Sequence, residues 1–451
     1  MRKTSFITER TLERMERFYS PKYGLANVLT TNEKTPSIES TEGNCLTVGN
    51  LVPICYNSVQ VARAKTQNIN MGSAVSLNRN RSRIKACGEY LERQPCTTDE
   101  LAMEIMFDSY DNLKKKGYKC LDLKEMIPFE DHLYDDPSFP FPRYDTSCRI
   151  SWMQGIELVN GVKTWIPAQK AVYSSVHKDE SLYIFQLSTG HACGSNFYQA
   201  AVGAIHEVIE RDSFMLTWHL QIPGTSIEID YCLNHELKEL YDHIRKHLVR
   251  EDKLYVYDIS KTKGVYTILT FIRNDLPDAY GLIVTAASHT NPELAVFKAL
   301  EELCQCQRFA YYNRLGEQGN EYQQMEIKDI TSLHKHFFYY CTGTRSKNIN
   351  FMSQGNKHVR LSEMECYASD TDELVLTYLT QLFCQLEQPL YLVDTTKTEI
   401  QASGFHILKA IIPGYVDLEV TQLFKQINYS RLQKYQNALG RSINSSPHPF
   451  P

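Results

Sequence analysis

One acidic pattern occurs twice in this chain, and it limits the fold more than any other feature. Two segments read Ala-x-x-Glu-x-x-Glu-Arg, namely Ala86–Arg93 and Ala204–Arg211. Residues three or four apart share one face of an α-helix, so each segment predicts a helix with two carboxylates on the same face. The alanine one turn earlier leaves room for another element to approach that face.

If the two faces meet, four carboxylates converge: Glu89, Glu92, Glu207 and Glu210. Such a group would repel, and some of its members would take up protons. Two Mg²⁺ ions would balance the charge and keep positions for phosphate, since Mg²⁺ prefers hard oxygen ligands completed by nucleotide phosphate and water. Arg93 and Arg211 would bind phosphate oxygens bidentately. The spacing leaves a second interpretation open, a solvated helix with Glu–Arg pairs at i, i+4.

Periodicity places these motifs among mixed elements. Apolar residues at spacings of three and four predict a helix over 197–219, and Asn291-Pro292-Glu293 predicts the start of a helix that runs to about Leu315. We also expect helices over 80–118 (broken at Pro95, with Thr97 or Thr98 as the next N-cap) and near 371–387. Strands are expected at 165–167, 181–187, 253–259, 265–273, 279–287 and 390–393. The order lacks a clean βαβ rhythm, which favours an α+β (mixed α/β) domain.

Composition excludes several classes of protein. The net charge of −5 gives no basic surface, so no nucleic-acid partner is expected. The thirteen cysteines include no Cys-x-x-Cys, which argues against a disulfide scaffold or a structural zinc site. The charged N-terminus does not resemble a signal peptide, and the most apolar stretch, near 280–287, is far shorter than the ~20 residues of a membrane helix. We therefore expect no membrane contact and a cytoplasmic location.

Two further segments leave their roles open. Small residues over 188–196 precede the second acidic helix, where backbone N–H groups can approach an anion; a plain strand-to-helix turn is the alternative. The last residues, Pro447-His448-Pro449-Phe450-Pro451, predict an extended tail that docks at little entropic cost, or else a disordered terminus. No Gly-x-x-x-x-Gly-Lys-Ser/Thr occurs, so this is not a P-loop enzyme.

Taken together, these segments resemble the YcaO family, and more narrowly its peptide cyclodehydratases. Gly88–Arg93 resembles the family's first acidic motif, and Ser188–Gly190 followed by Glu207–Asp212 resembles the second. The helix at Ala295–Arg308 looks like the third helix of the nucleotide site. The tail Pro447–Pro451 is similar to the Pro-x-Pro-x-Pro end of azoline-forming members. The resemblance implies a YcaO-type fold with an ATP site between the acidic helices, over 71–451 after an N-terminal extension of 1–70.

The same resemblance implies roles for individual residues. Mg²⁺ would be held by the four glutamates named above, and with it ATP. ATP contacts would come from eight side chains: Arg93, Ser195, Gln199, Arg211, Lys298, Glu302, Gln305 and Arg308. The catalytic tail would be Pro447, Pro449 and Pro451, whose terminal carboxylate acts as a base or positions one. Four features depart from the family pattern: Gln199 for a Glu, Ser195 for an Asn, Lys298 for an Arg, and a glycine-rich loop reduced to Gly72-Ser73-Ala74.

The implied reaction is azoline formation on a ribosomal precursor peptide, as in bacteriocin maturation. A Cys, Ser or Thr side chain attacks the preceding carbonyl, ATP phosphorylates the oxyanion, and phosphate leaves to give a thiazoline or oxazoline. Residues 1–70 show no ThiF-like domain, so we expect a separate ThiF-like leader-binding partner and a homodimer within a complex. A flavin dehydrogenase is compatible with the chain but not implied by it. Two alternatives remain: a YcaO enzyme that forms thioamides or amidines, and a non-catalytic peptide-binding scaffold.

Overall fold

The computed structural model describes residues 10–11, 13–15, 28–32, 55–60, 71–93, 104–173, 177–230, 234–248, 251–315, 319–368 and 370–451. Helices and sheets are mixed, which confirms the predicted α+β class. Numbered in chain order, the strands are β1 Val28–Asn32, β2 Cys55–Gln60, β3 Met71–Ser76, β4 Ile105–Ser109, β5 Arg149–Glu157, β6 Val162–Pro167, β7 His191–Gly194, β8 Thr225–Glu228, β9 Lys253–Asp258, β10 Tyr266–Arg273, β11 Leu282–His289, β12 His358–Arg360, β13 Tyr391–Asp394 and β14 His406–Ile411.

The helices, numbered in the same way, are α1 Arg79–Glu92, α2 Tyr110–Lys115, α3 Ala168–Ala171, α4 Phe197–His219, α5 His235–Lys246, α6 Pro292–Leu315, α7 Gly319–Gln324, α8 Leu333–Tyr339, α9 Asp372–Gln385, α10 Thr398–Ala402 and α11 Ser430–Leu439. Short 3₁₀ segments lie between them. No helix in the described part of the chain is long and apolar enough to cross a bilayer.

The strands form three sheets. The smallest is antiparallel with the order β1-β2-β3, so it joins strands from both sides of the boundary expected at residue 70. A five-stranded sheet has the order β11-β10-β9-β8-β12, in which only β8 and β12 pair in parallel. A six-stranded antiparallel sheet has the order β4-β5-β13-β14-β7, and β6 also pairs with β5.

The second acidic helix, α4, lies between the two larger sheets. It contacts β7 and β14 of the six-stranded sheet and β10 and β11 of the five-stranded sheet. Its first half packs small side chains such as Ala200 and Ala204 against Leu408 and Ala410 of β14. Its last turns place larger apolar side chains in the main core. A helix that is apolar on most sides is expected to be buried in this way.

Several predicted elements are confirmed. α4 spans 197–219, and α6 begins at Pro292 with the Asn291 side chain accepting the N–H of Glu293 at 2.9 Å. The strands at 253–258, 266–273 and 282–289, the helix at 372–385 and the strand at 391–394 lie within a few residues of their expected positions. The local 3.6- and 2-residue periods were sufficient for these elements.

Two predicted elements are wrong. The helix expected to continue to residue 118 is interrupted by β4, because Ile105–Ser109 pairs with β5; Pro95, Thr97 and Thr98 lie outside the described residues. No strand forms over 181–187. There the backbone is bound by side chains instead of a ladder: Gln169 accepts the N–H of Tyr183 at 3.0 Å and donates to the carbonyl of Ser181 at 2.7 Å.

Candidate active site

The first acidic helix packs against β3 with almost no space between them. A Cβ on Gly72 would lie 2.1 Å from the carbonyl oxygen of Ala86 and 2.4 Å from the amide nitrogen of Tyr90. The glycine and the alanine therefore permit the close approach. It places Glu89 beside the strand, where its carboxylate accepts the N–H of Ser73 at 2.7 Å and pairs with Arg93.

The second acidic helix places Glu210 against β11. Glu210 is 7% exposed and accepts the N–H of Ser288 at 3.2 Å. Arg211 pairs with Glu210 and lies 3.5 Å from Glu207. The predicted phosphate-binding arginine is thus bound to two of the predicted metal ligands.

The helix α6 forms the third side of the cleft. Ser76 donates its hydroxyl to Glu301 at 2.8 Å, and Lys85 of α1 pairs with the same carboxylate. Gln305 donates its amide to the Ser73 hydroxyl at 2.8 Å. These contacts join β3, α1 and α6 around one set of charged groups.

The carboxylates of the two acidic helices lie close enough to shift one another's pKa values. Burial raises the pKa of Glu92 well above its usual range, and the negative charges of Glu207 and Glu89 raise it further. Burial also raises the pKa of Glu207, against the positive charges of Arg211, Lys409 and Arg93. The pKa of Glu89 is raised by burial and lowered in part by Arg93. The two acidic faces therefore lie close together, which the repeated pattern by itself leaves open.

The cleft is open to solvent on the side of α6. Glu302 and Lys298 keep solvent-accessible surface, while the surrounding walls of the cleft displace much of the water around their charged ends. Removal from bulk water raises the pKa of Glu302 to about 7, and Glu207 contributes in the same direction. The pKa of Lys298 is lowered by removal from water and then by the nearby ammonium of Lys85. An anionic ligand in this cleft would therefore meet lysine side chains from two helices.

The backbone of the segment before α4 donates hydrogen bonds to carboxylates of the protein itself. The backbone N–H of Gly190 interacts with Glu207, and that of Cys193 interacts with Glu92. Gly190 has a φ of 86°, and a Cβ there would lie 2.5 Å from the carbonyl oxygen of Ala410. The small residues of this segment thus allow close approach to an anion, but the anions that it approaches are two glutamates.

Other predicted ATP contacts lie further from the carboxylates. Ser195 donates its N–H and its hydroxyl to Gln199 at 2.8 and 3.0 Å, so these two side chains bind each other in the first turn of α4. That turn precedes Glu207 by about two helical turns. Arg308 lies beyond Gln305 on α6 and is partly exposed. The roles of these three residues stay predictions.

The C-terminal tail is docked on α4, so its extended sequence is not a disordered end. Tyr340 donates its hydroxyl to the carbonyl of Pro447 at 2.6 Å, and Trp218 donates its indole N–H to Ser446 at 3.0 Å. His448 and Phe450 are buried, whereas Pro451 is exposed. The ring of Phe450 lies under Arg211, with 4.4 Å between the guanidinium carbon and the ring centroid. The tail therefore touches the residue that binds Glu207 and Glu210.

The donor set fits Mg²⁺ in chemistry. Oxygen ligands from two helices face each other and repel, which a divalent cation would relieve. Within the described ranges, no three His, Cys, Asp or Glu side chains are already gathered to hold a metal ion, and Glu89 and Glu210 accept hydrogen bonds from the N–H groups of Ser73 and Ser288.

Sequence reasoning missed two lysines. Lys85 lies one turn before Glu89 on the same face, a position that the i, i+4 rule would have revealed. Lys409 stands within the otherwise apolar run Ile407–Ile412 and is 2% exposed. A charged residue inside an apolar strand was the available signal.

Residues 74–416, more than half of the chain, match the family described as YcaO cyclodehydratase, ATP- and Mg²⁺-binding. The chain belongs to the YcaO family. This confirms the resemblance to the YcaO family, and with it the expectation of ATP and Mg²⁺ as the family's cofactors.

Solved structures of YcaO proteins share the fold. A heterocyclase in complex with substrate and cofactor matches 98% of this chain with a TM-score of 0.74 at 16% identity. YcaO from Methanopyrus kandleri bound with AMPPCP and Mg²⁺ matches 97% of the chain (TM-score 0.61, 15% identity, 94% of its own length). The E. coli microcin synthetase McbBCD complex with pro-MccB17 bound matches 88% of the chain (TM-score 0.58, 15% identity, 93% of its own length).

The chain spans only part of some relatives. It covers 57% of the length of that heterocyclase. It covers 66% of an uncharacterized protein of Methanothermobacter thermautotrophicus, with 21% identity over 276 residues.

Proposed function

We propose that this YcaO protein is the ATP-dependent cyclodehydratase subunit that converts Cys, Ser or Thr residues of a ribosomal precursor peptide into thiazolines or oxazolines. One observation carries the proposal: the proline-rich tail is docked with Phe450 against Arg211, beside the carboxylates of the two acidic helices. The family's description as cyclodehydratases and the heterocyclase among the similar structures support it.

In this proposal the acidic helices hold the nucleotide. Glu89, Glu92, Glu207 and Glu210 hold Mg²⁺, and Arg93, Arg211 and Lys298 bind phosphate oxygens. ATP bound with Mg²⁺ supplies the phosphoryl group that turns the amide oxygen into a leaving group. The net reaction converts peptide and ATP into azoline, ADP and phosphate, so the oxygen of the lost water leaves in the phosphate.

The tail would act on the peptide side of the site. Pro447, Pro449 and Pro451 keep the segment extended, and the buried Phe450 fixes its position against α4. The exposed Pro451 would then stand next to the reacting amide, where its carboxylate acts as a base or positions one.

The proposal includes partners. The precursor peptide would be delivered by a separate ThiF-like leader-binding protein within a complex, as the assembled microcin synthetase and its bound pro-MccB17 suggest by analogy. A flavin dehydrogenase that oxidises azolines would act afterwards. A partner of this kind raises the local concentration of the peptide.

Mass spectrometry tests the reaction. The purified chain is incubated with Mg²⁺, ATP, the Cys/Ser/Thr-rich precursor and the leader-binding protein encoded beside it. We expect the loss of one water per modified residue, and no loss with Glu207→Gln. Exchange of oxygen for sulfur would identify a thioamide-forming enzyme, and amidine formation would appear as an internal cross-link. Absence of ATP turnover with the complete mixture would favour a non-catalytic scaffold; each of these results overturns the proposal.

A further inference from the structure

A lysine is buried in the middle of the six-stranded sheet. Lys409 lies on β14, paired with Val393 of β13 on one side and His191 of β7 on the other. It is 2% exposed, and the flanking Leu408 and Ala410 belong to the apolar core. Taking an ammonium group out of water costs several kcal/mol unless other groups compensate. An apolar residue would fill this position in the strand equally well, so a lysine here indicates a role for its charge or its hydrogen bonds.

Few groups compensate the ammonium directly. Its nitrogen donates to the carbonyl oxygen of Leu187 at 2.7 Å and lies 3.4 Å from Nδ1 of His191. An ammonium group only donates hydrogen bonds, so His191 accepts there and is neutral. Burial lowers the pKa of His191 well below its usual value, and the charge of Lys409 lowers it further.

Charged groups from several elements act on the same ammonium. Burial, the largest cause, lowers the pKa of Lys409 to about 7, and the charged neighbours that act on it are Lys170 of α3, Asp417 after β14, Glu207 of α4 and Glu92 of α1. Lys170 and Asp417 are paired with each other, so their charges largely offset. The two glutamates of the acidic cluster are therefore the net negative charge that Lys409 faces.

Lys409 binds the same segment whose backbone N–H groups interact with these glutamates. Leu187 begins it, and its N–H groups at Gly190 and Cys193 interact with Glu207 and Glu92. The next residue of β14, Ala410, donates its N–H to the carbonyl of Gly190 at 2.8 Å. Two consecutive residues of β14 thus bind the segment: Lys409 through its ammonium group and Ala410 through its backbone N–H.

We propose that Lys409 is a positioning residue of the nucleotide site. Its ammonium holds the Leu187–Gly194 segment so that the N–H groups of Gly190 and Cys193 stay aimed at Glu207 and Glu92. Its charge offsets part of the negative charge of the cluster and thereby favours an anionic Mg²⁺–nucleotide complex. This inference rests on the proposed function in one respect, because it takes the carboxylate cluster as the nucleotide site.

Binding of a non-hydrolysable ATP analogue with Mg²⁺, measured by calorimetry, tests the inference. Lys409→Met removes the charge and the donor but keeps the length of the side chain. Its affinity should fall about 10-fold, because both the positive charge near the cluster and the donor that holds Leu187 are lost. Lys409→Arg keeps the charge and should stay within about 3-fold of the wild type. Lys409→Gln keeps a donor without charge and should lie between them.

The matched control is Lys261→Met. Lys261 also donates to a backbone carbonyl, that of Ile259 at 2.7 Å, but its charged neighbours are Asp258, Asp212 and Arg431. It likewise replaces a buried ammonium with an apolar side chain of similar length, and it should keep its nucleotide affinity. Hydrogen exchange should accelerate over 187–194 in Lys409→Met, with β13 unchanged.

Two outcomes overturn the inference: an affinity of folded Lys409→Met within about two-fold of the wild type, or equal losses in Lys409→Met and Lys409→Arg. Glu207→Gln separates this failure from failure of the proposed function. If Glu207→Gln loses binding while Lys409→Met keeps it, only the role of Lys409 is wrong. If both bind normally, the nucleotide site itself has been misassigned.

Discussion

Arg211 lies with its guanidinium carbon 4.4 Å from the ring centroid of Phe450, while its nitrogens bind Glu207 and Glu210. One cation therefore joins the last buried residue of the tail to two of the proposed metal ligands. A contact of this kind contributes about 0.5–2 kcal/mol, more when water is excluded. The tail can thus influence where Arg211 points when phosphate competes with the glutamates for it.

Removing the aromatic face at the tail should slow modification. Phe450→Leu keeps an apolar side chain but loses the ring, so we expect the initial rate at saturating ATP to fall about 5-fold, equivalent to about 1 kcal/mol. Phe351→Leu is the control, because Phe351 is also buried and packs on Trp218 of α4, whereas the ring next to Arg211 is that of Phe450. Equal rates for the two variants would show that the ring over Arg211 has no part in the reaction.

Substitutions at the two glutamates of the second acidic helix should have the same effect on activity but different effects on stability. Both Glu207→Gln and Glu210→Gln should abolish ATP-dependent modification, because each removes a proposed metal ligand. Glu207→Gln should keep or raise the melting temperature, since the negative charge of Glu207 opposes that of Glu92. Glu210→Gln should cost about 1–3 kcal/mol, because it loses the charged bond to Arg211. Near-normal turnover in both would remove the metal-site assignment.

Gly190 should not tolerate a side chain. It has a φ of 86°, and a Cβ would lie 2.5 Å from the carbonyl oxygen of Ala410, so Gly190→Ala combines strain with a clash and displaces the N–H that interacts with Glu207. We expect loss of nucleotide binding and a stability cost of at least about 2 kcal/mol. Gly161→Ala is the matched control: φ is 67° with nothing within 4 Å of the added Cβ, so about 1 kcal/mol and normal binding are expected.

Because of the buried histidines at the tail, the free energy of unfolding should decrease as pH is lowered. His448 donates from Nε2 to the carbonyl of Glu419 at 2.9 Å, and its Nδ1 accepts the N–H of Phe450 at 3.3 Å. A proton on Nδ1 would face another donor. Burial, the largest cause, lowers the pKa of His448 to about 4, against about 6.5 in the unfolded chain.

Between these two pKa values the unfolded chain binds the extra proton and the folded protein does not, so stability is present above about pH 6.5 and is lost as pH falls towards 4. Unfolding by urea at about pH 7.5 and about pH 5 should show that the wild type loses roughly 2 kcal/mol more than His448→Gln does. The same loss in both proteins would mean that His448 is not the titrating group. His219 and His336, both buried with lowered pKa values, act in the same direction.

An extension after Pro451 should impair the reaction without unfolding the protein. Pro451 is exposed and Phe450 is buried, so added residues leave the core intact but move the carboxylate proposed to act at the peptide. We expect modification to fall at least about 10-fold, or about 1.4 kcal/mol in barrier. The melting temperature and nucleotide affinity should match those of a protein with the same tag at its N-terminus. Full activity with the C-terminal tag would make the tail a structural element only.

Much of the site could be predicted from the order of residues. The spacing of Glu89, Glu92, Glu207 and Glu210 predicted two helix faces with two carboxylates each, and α4 and α6 begin at the residues that the sequence indicated. These features are local, because the 3.6-residue period and capping side chains act within a few residues. Backbone N–H groups within residues 188–196 do approach anions, and the anions that they approach in the structure are Glu207 and Glu92.

Other features depended on contacts between distant parts of the chain. The pairing of Ile105–Ser109 with β5 overrode a helical pattern, and Gln169 bound the backbone of residues 181–187 in place of a partner strand. Neither event leaves a local signal, since the partner residues are far away in sequence. The burial of Lys409 under the segment that serves Glu92 and Glu207 has the same origin.

The sequence by itself determined the two acidic helices, their four carboxylates and an extended tail, because each is written in short-range spacing and in the stiffness of proline. Only the tertiary structure decided that Gly72 lets α1 press against β3, that Arg211 neutralises its own neighbours, and that Phe450 rests on that arginine. The physical reason is that like charges and buried polar groups are stable only with specific partners. The partners come together only when the two large sheets close around α4.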